Sequence, residues 1–315
     1  RLMDGDFRVF APAYLFIDGK LDQFLGESAS RAIGEIAGPL RIALVLYVLL
    51  YGFAILRGAI AEPLTDFAIR SVKLALIYVL ATSPAYGDWV TQPLFHILPD
   101  TLARAIAGTP GSDAGSAFDS FFSRAAYLGQ KAAREANAMN WLPLLVSGAV
   151  FVIGALAAAL GFGIVVLAKV ALALLVALGP IFIACALFGA TRRYFFGWLS
   201  QAVNYLVLFA LIIAMFQLVL ALVGERWGTI DGQDPVAGGL IFIALCLLGA
   251  IFFLQTPAIA AGIAGGASVG LADFGNATRL RGASRGGARG ASSTDGSRGF
   301  APPQGGSIRQ VRTAR

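Results

Sequence analysis

Two stretches of this sequence, 141–168 and 194–224, contain no charged residue. Each is longer than the roughly 20 residues an α-helix needs to cross the hydrocarbon core of a bilayer. Inside lipid the backbone polar groups of such a stretch can bond only to one another, so it has to be helical. The runs predict an all-α, polytopic membrane protein. Composition agrees, with 57% hydrophobic and 13% charged residues, against about 25% charged in soluble domains.

Around these runs the chain divides into five parts. Residues 1–39 mix Phe10, Tyr14, Phe16, Leu21, Phe24 and Leu25 with Asp18, Asp22 and Glu27. They read as short amphipathic helices on a membrane surface or a partner, or equally as an ordinary soluble cap. Residues 40–86 hold a first pair of transmembrane helices. Arg41 and Arg57 flank the uncharged core 42–56 of the first, and Arg70 and Lys73 lie one turn inside the second. Residues 87–140 form a loop rich in Pro and Gly. Within it Phe118, Phe121, Phe122, Ala125, Leu128 and Ala132 recur at helical spacing. That amphipathic helix packs either on its own domain or on a partner.

Residues 141–263 form the transmembrane core. The run 141–190 has one charge, Lys169, and as a straight helix would reach about 75 Å, far beyond a core of roughly 30 Å. It is expected to bend or fold back, with Gly161, Gly163, Lys169 and Gly179-Pro180 as break points. Gly154, Ala157, Ala158 and Gly161 make a small-residue face suited to close helix packing, and this face and a second small-residue segment, 258–266, are expected to mediate contact between subunits. The last span ends near Gln255 and Pro257. Residues 264–315 read as a flexible tail, with eight arginines and a single acid, Asp295, after residue 278. Few of its residues can bury apolar surface.

Orientation follows from the excess of Lys and Arg in cytoplasmic loops. Arg57, Arg70 and Lys73, the Arg192-Arg193 pair and the arginine-rich tail belong inside, and the acidic turn 225–234 outside. All are satisfied by five crossings, about 40–60, 66–86, one within 141–190, 194–223 and 236–256. The N-terminus and the loop 87–140 are then periplasmic. No basic segment followed by a short apolar one precedes residue 40, so the first span is expected to direct insertion itself.

Little here suggests chemistry. There is no phosphate-binding glycine loop, no HExxH and no GxSxG, and the lone His96 cannot assemble a usual zinc site. No catalytic residue, cofactor or metal is expected. Intramembrane polar groups are therefore the place to look for function. Lys169 either marks a cytoplasmic turn or faces a polar cavity between subunits. Gln201 and Asn204, one turn apart, and Gln217 farther along are expected to fix packing through interhelical hydrogen bonds or else to line a transport path. Trp198 and the Arg192-Arg193 pair read as interfacial anchors, ring and guanidinium each keeping a polar end wet.

One segment resembles a known family. Leu178-Gly179-Pro180-Ile181-Phe182-Ile183, then Phe188, Thr191-Arg192-Arg193-Tyr194-Phe195 and Gly197-Trp198-Leu199 are similar to the TrbL-type polytopic inner-membrane subunit of bacterial type IV secretion systems. Gln201, Asn204 and Tyr205 follow in place, and Pro257-Ala258-Ile259-Ala260 leads into Gly265-Gly266. The resemblance implies a non-enzymatic channel or platform subunit that forms a homo-oligomeric ring. It would contact a bitopic periplasmic scaffold subunit, other inner-membrane components, cytoplasmic ATPases, pilus subunits and membrane lipids, and pass a protein or DNA substrate. It also implies that Trp198 and Arg192-Arg193 are the positions whose loss matters most. Two rival classes stay open: a secondary transporter of a small solute, and a pore-forming membrane protein.

Overall fold

The computed structural model describes residues 8–58, 64–136, 140–232 and 234–283, with side chains described except at 64–66 and 266–283. The chain divides into two units, Arg1–Ala272 and Asp273–Arg315. Of the second, only 273–283 is described, and it is helical.

The described residues of the first unit are almost wholly helical. Helix α1 is Phe10–Leu56, α2 Leu64–Thr82, α3 Leu98–Ala107, α4 Ala114–Arg134, α5 Leu142–Cys185, α6 Arg192–Gly232 and α7 Pro235–Ala283, with a π-helix at Gly87–Ile97. Four of these, α1, α5, α6 and α7, are long and apolar enough to span a membrane. The bent pair Phe67–Thr82 and Gly87–Ala107, meeting at 66°, makes a fifth span if counted as one. The protein is thus an all-α polytopic membrane protein with four or five spans.

Several expected boundaries move. The short N-terminal helices are one helix with the first span, because α1 runs through Pro39 without a break. Residues 141–190 do not fold back either: α5 is a single helix of 44 residues that passes through Pro180 to Cys185. The stretch taken as a loop, 87–140, is mostly helical, with Pro99 tolerated in the first turn of α3. Helix α7 continues through Pro257, where the Thr256 hydroxyl bonds the Phe252 carbonyl at 2.8 Å. It runs to Ala283, into the segment expected to be tail, and residues 284–315 lie outside the described residues.

Two apolar cores share α1, α5 and α6. One joins Tyr14 of α1, Phe118 and Phe121 of α4, Val146–Ala168 of α5, Leu208–Ile230 of α6 and Phe242 and Phe253 of α7. The other joins Leu25 and Leu40 of α1, Ala81, Tyr86 and Phe95, Leu172–Leu187, and Trp198–Leu206. The amphipathic face read in 118–132 packs on its own chain: Phe118 stands 3.9 Å from Phe216, centroid to centroid, and Phe121 lies 5.6 Å from Phe242.

The start of α1 is held by α4. The Asp119 carboxylate accepts hydrogen bonds from the backbone N–H groups of Val9 and Phe10, both at 2.8 Å, and of Ala11 at 2.9 Å. These donors have no partner within the helix, and their positive field favours a carboxylate. A Cβ on Gly115 would sit 2.6 Å from the Ala11 Cα, so only glycine lets the two backbones meet. Asp119→Ala is expected to cost about 1–2 kcal/mol and to speed protease cutting around residue 10. Unchanged proteolysis would show that the cap does not hold the helix end.

Basic side chains gather where α1 ends and where α2 and α6 begin. Arg57 stacks on Phe53 at 4.6 Å and Arg70 on Tyr51 at 5.0 Å. Tyr47 reaches Phe188, beside the Arg192-Arg193 turn, at 6.1 Å. Toward the far end of α6, the Lys131 ammonium pairs with Asp231 at 2.7 Å and Arg124 lies over Trp227 at 5.4 Å. The hydrogen bond to Asp231 holds the Lys131 ammonium above the usual lysine range.

Candidate functional site

The segment around Gly179-Pro180 is the densest meeting point of the expected site residues. Proline has no N–H, so Pro180 leaves the Val176 carbonyl without its helical donor. The Tyr86 hydroxyl, arriving from the bend between α2 and the π-helix, donates to that carbonyl instead. One residue earlier, the Trp198 Nε1–H donates to the Leu175 carbonyl at 2.8 Å. A Cβ on Gly179 would overlap the Tyr86 hydroxyl and stand 3.2 Å from the Trp198 ring. Proline frees the acceptor, glycine opens the approach, and two aromatic donors close it. This is why α5 does not break here.

Trp198 is therefore not the interfacial anchor expected. It is buried, stacked on Phe182 with ring centroids 6.3 Å apart, and its polar end is satisfied by backbone rather than water. Tyr86 had no signal in the sequence, because the carbonyl it serves lies 90 residues away.

The actual break falls at 186–191. The Thr191 hydroxyl bonds the Cys185 carbonyl at 2.7 Å and so caps the end of α5, and Arg192 opens α6. Arg192 lies 5.2 Å over Phe196 and Arg193 4.9 Å over Tyr194. Arg192, Trp198 and Lys73 line one cavity of about 330 Å³ between α2, the π-helix, α5 and α6.

Lys169 neither marks a turn nor faces a polar cavity. It lies mid-helix with its side chain 7% exposed and pairs at 2.9 Å with Asp18 of α1. Phe95, Phe209 and Tyr14 surround its ammonium at 4.5, 5.5 and 6.0 Å. One turn along α1, Asp22 meets His96 of the π-helix at 3.1 Å. Two carboxylates of the N-terminal half of α1 thus fasten it to the helical bundle.

The other expected residues stay apart from this cluster. The Gly154 and Gly161 face is covered within the chain: added Cβ atoms would sit 2.7 Å from Ala125 and 2.8 Å from Phe118. Gln201 is exposed, and the Asn204 Oδ1 is buried without a partner among the described residues. Farther along α6, the Gln217 Nε2–H donates to the Thr109 hydroxyl, just after α3, at 3.1 Å. Pro257 and Gly265 lie in α7, as does Gly266, whose surroundings are outside the described residues.

Gly179-Pro180, the Arg192 turn and Trp198 lie in the segment that carried the family resemblance. The model of the TrbL/VirB6 plasmid conjugal transfer protein family matches residues 44–256. The chain belongs to that family. Proteins named type IV secretion system protein VirB6 from Bartonella henselae and Bartonella quintana are each 24% identical over 271 residues, covering 84% of this chain and 82% of the relative. One of the same name from Brucella abortus biovar 1 is 23% identical over 230 residues, 68% of this chain and 65% of the relative. The TrbL/VirB6 match contains Tyr86, Gly179-Pro180, Trp198 and Lys169. Asp18 and Asp22 lie before its first residue.

Proposed function

We propose that the protein is a non-enzymatic inner-membrane channel or platform subunit of a type IV secretion system, assembled as a homo-oligomeric ring. In this role it contacts a bitopic scaffold subunit, supports passage of a protein or DNA substrate and assists pilus assembly, while separate ATPases supply the energy. Family membership supports the setting. The observation that carries the structural role is the outward apolar face of α1. Ile42, Leu46, Leu49, Leu50 and Phe53 are all exposed, although α1 is well anchored at its other half. A firmly docked helix with a bare apolar end suits contact with lipid and with a neighbouring span. The half-buried Asp18, an acid that a coupled transporter could use, is engaged by Lys169.

The orientation we propose puts the end carrying Arg57, Arg70, Arg192 and Arg193 in the cytoplasm, together with the C-terminal tail. The end with Lys131 and Asp231, and helices α3 and α4, then lies in the periplasm. With the native Cys185 and Cys246 replaced by Ala, cysteines introduced at Ser297 and at Gly228 should react with membrane-impermeant thiol reagents from opposite sides. Reaction from the same side would overturn the five-crossing arrangement. Cysteines at Leu46 and Leu49 should give ladders above the dimer on crosslinking in intact membranes. Monomers alone would sink the ring.

A further inference from the structure

The cavity beside Trp198 has a composition that a membrane protein seldom leaves unmatched. It opens between two helix faces built alike. On α2, Lys73 is followed at helical spacing by Ile77 and Leu80. On α6, Arg192 is followed by Phe195 and Leu199. Each face begins with a cation and continues for about 10 Å as apolar wall. The π-helix closes one side with Val90 and Leu94, and Trp89, 75% exposed, stands at the edge.

Among the described residues no carboxylate lines this cavity. Elsewhere among the described residues the buried cation Lys169 has an acid within 2.9 Å, whereas Lys73 and Arg192 share their space with each other. Two cations beside an apolar wall repel each other, so an anion between them is bound favourably. The described residues supply none. The anion that arrives at this depth with its own apolar body is a phospholipid.

We propose that this cavity is a specific site for one anionic phospholipid of the surrounding bilayer. The phosphate sits on Lys73 and Arg192, with Arg192 able to offer two parallel donors. An acyl chain lies along Ile77, Leu80 and Leu94. The lipid bridges α2 to the start of α6.

The test is native mass spectrometry of the full-length protein released from micelles containing equal phosphatidylglycerol and phosphatidylcholine. Wild type should retain one phosphatidylglycerol at least tenfold over phosphatidylcholine. The double variant Lys73→Gln/Arg192→Gln should lose that preference. Leu80→Trp, which fills the apolar part and keeps both cations, should lose the bound lipid as well. Arg57→Gln, at the same basic end but outside the cavity, should retain it. Millimolar glycerol phosphate should not displace the lipid. Equal retention of the two lipids by wild type would overturn the site. So would a loss in Arg57→Gln as large as in the double variant, since that means diffuse surface charge. Displacement by glycerol phosphate would overturn the lipid as occupant in favour of a free phosphate. Should the double variant fail to fold, Leu80→Trp alone decides between a built cavity and loose attraction.

Discussion

Asp18→Asn is expected to lower stability by about 3–5 kcal/mol, the usual cost of breaking a buried ion pair from one side. The loss is large because of what remains. The Lys169 side chain is 7% exposed, and the rings of Phe95, Phe209 and Tyr14 around it attract a cation without replacing its counter-charge. Lys169→Met should cost less, since Asp18 is 28% exposed and can turn to water once released. The double variant Asp18→Asn/Lys169→Met removes both charges and should recover much of the loss. Thermal unfolding in detergent reads the order, and limited proteolysis reads its location. In Asp18→Asn the segment 10–37 should become cleavable while α5 and α6 stay protected. If Asp18→Asn melts with wild type, the ion pair does not hold α1 and the docking rests on apolar contacts alone.

The second large effect lies at Gly179-Pro180. Tyr86→Phe should cost about 1–3 kcal/mol, because it leaves the buried Val176 carbonyl unpaired. In a Pro180→Ala background the restored N–H at 180 can return to that carbonyl, so the same substitution should cost little. Such coupling is the signature of a carbonyl served by a side chain in place of a missing helix donor. Gly179→Val should be worse than either, since it meets both the Tyr86 hydroxyl and the Trp198 ring. Both rings are buried in one core. In cells carrying the full secretion system, substrate transfer should fall with Gly179→Val and Tyr86→Phe and be partly restored in Tyr86→Phe/Pro180→Ala. Equal costs of Tyr86→Phe with and without Pro180 would refute the exchange of donors.

Both predictions concern residues whose importance was only half visible beforehand. Lys169 stood out as one charge in a long apolar run, and a buried cation has to be paired. That rule gives a requirement without a partner. Gly179-Pro180 read as a break because the local chemistry of proline is a lost hydrogen bond. The loss is real, and it is repaired from another helix. The small-residue face at Gly154 and Gly161 was expected to mediate contact between subunits, yet its occupant is α4 of the same chain. The amphipathic face of α4 and the glycines of α5 are two halves of one contact.

Local pattern was enough for the class, the helical content, the main apolar spans and the family, because each depends on residues within a few turns of one another. Hydrophobicity over some twenty residues decides insertion, and a short run such as 178–199 carries the resemblance. It was not enough for the joints. Asp18 and Lys169 are 151 residues apart in sequence, and Asp119 caps a helix that begins 109 residues earlier. Which carboxylate meets which ammonium depends on how α1 lies along α5, and that is decided by the sum of many weak contacts over both cores. The same sum lets α1 and α5 run on through proline, since a helix packed along its length can find a replacement donor where an isolated one would bend.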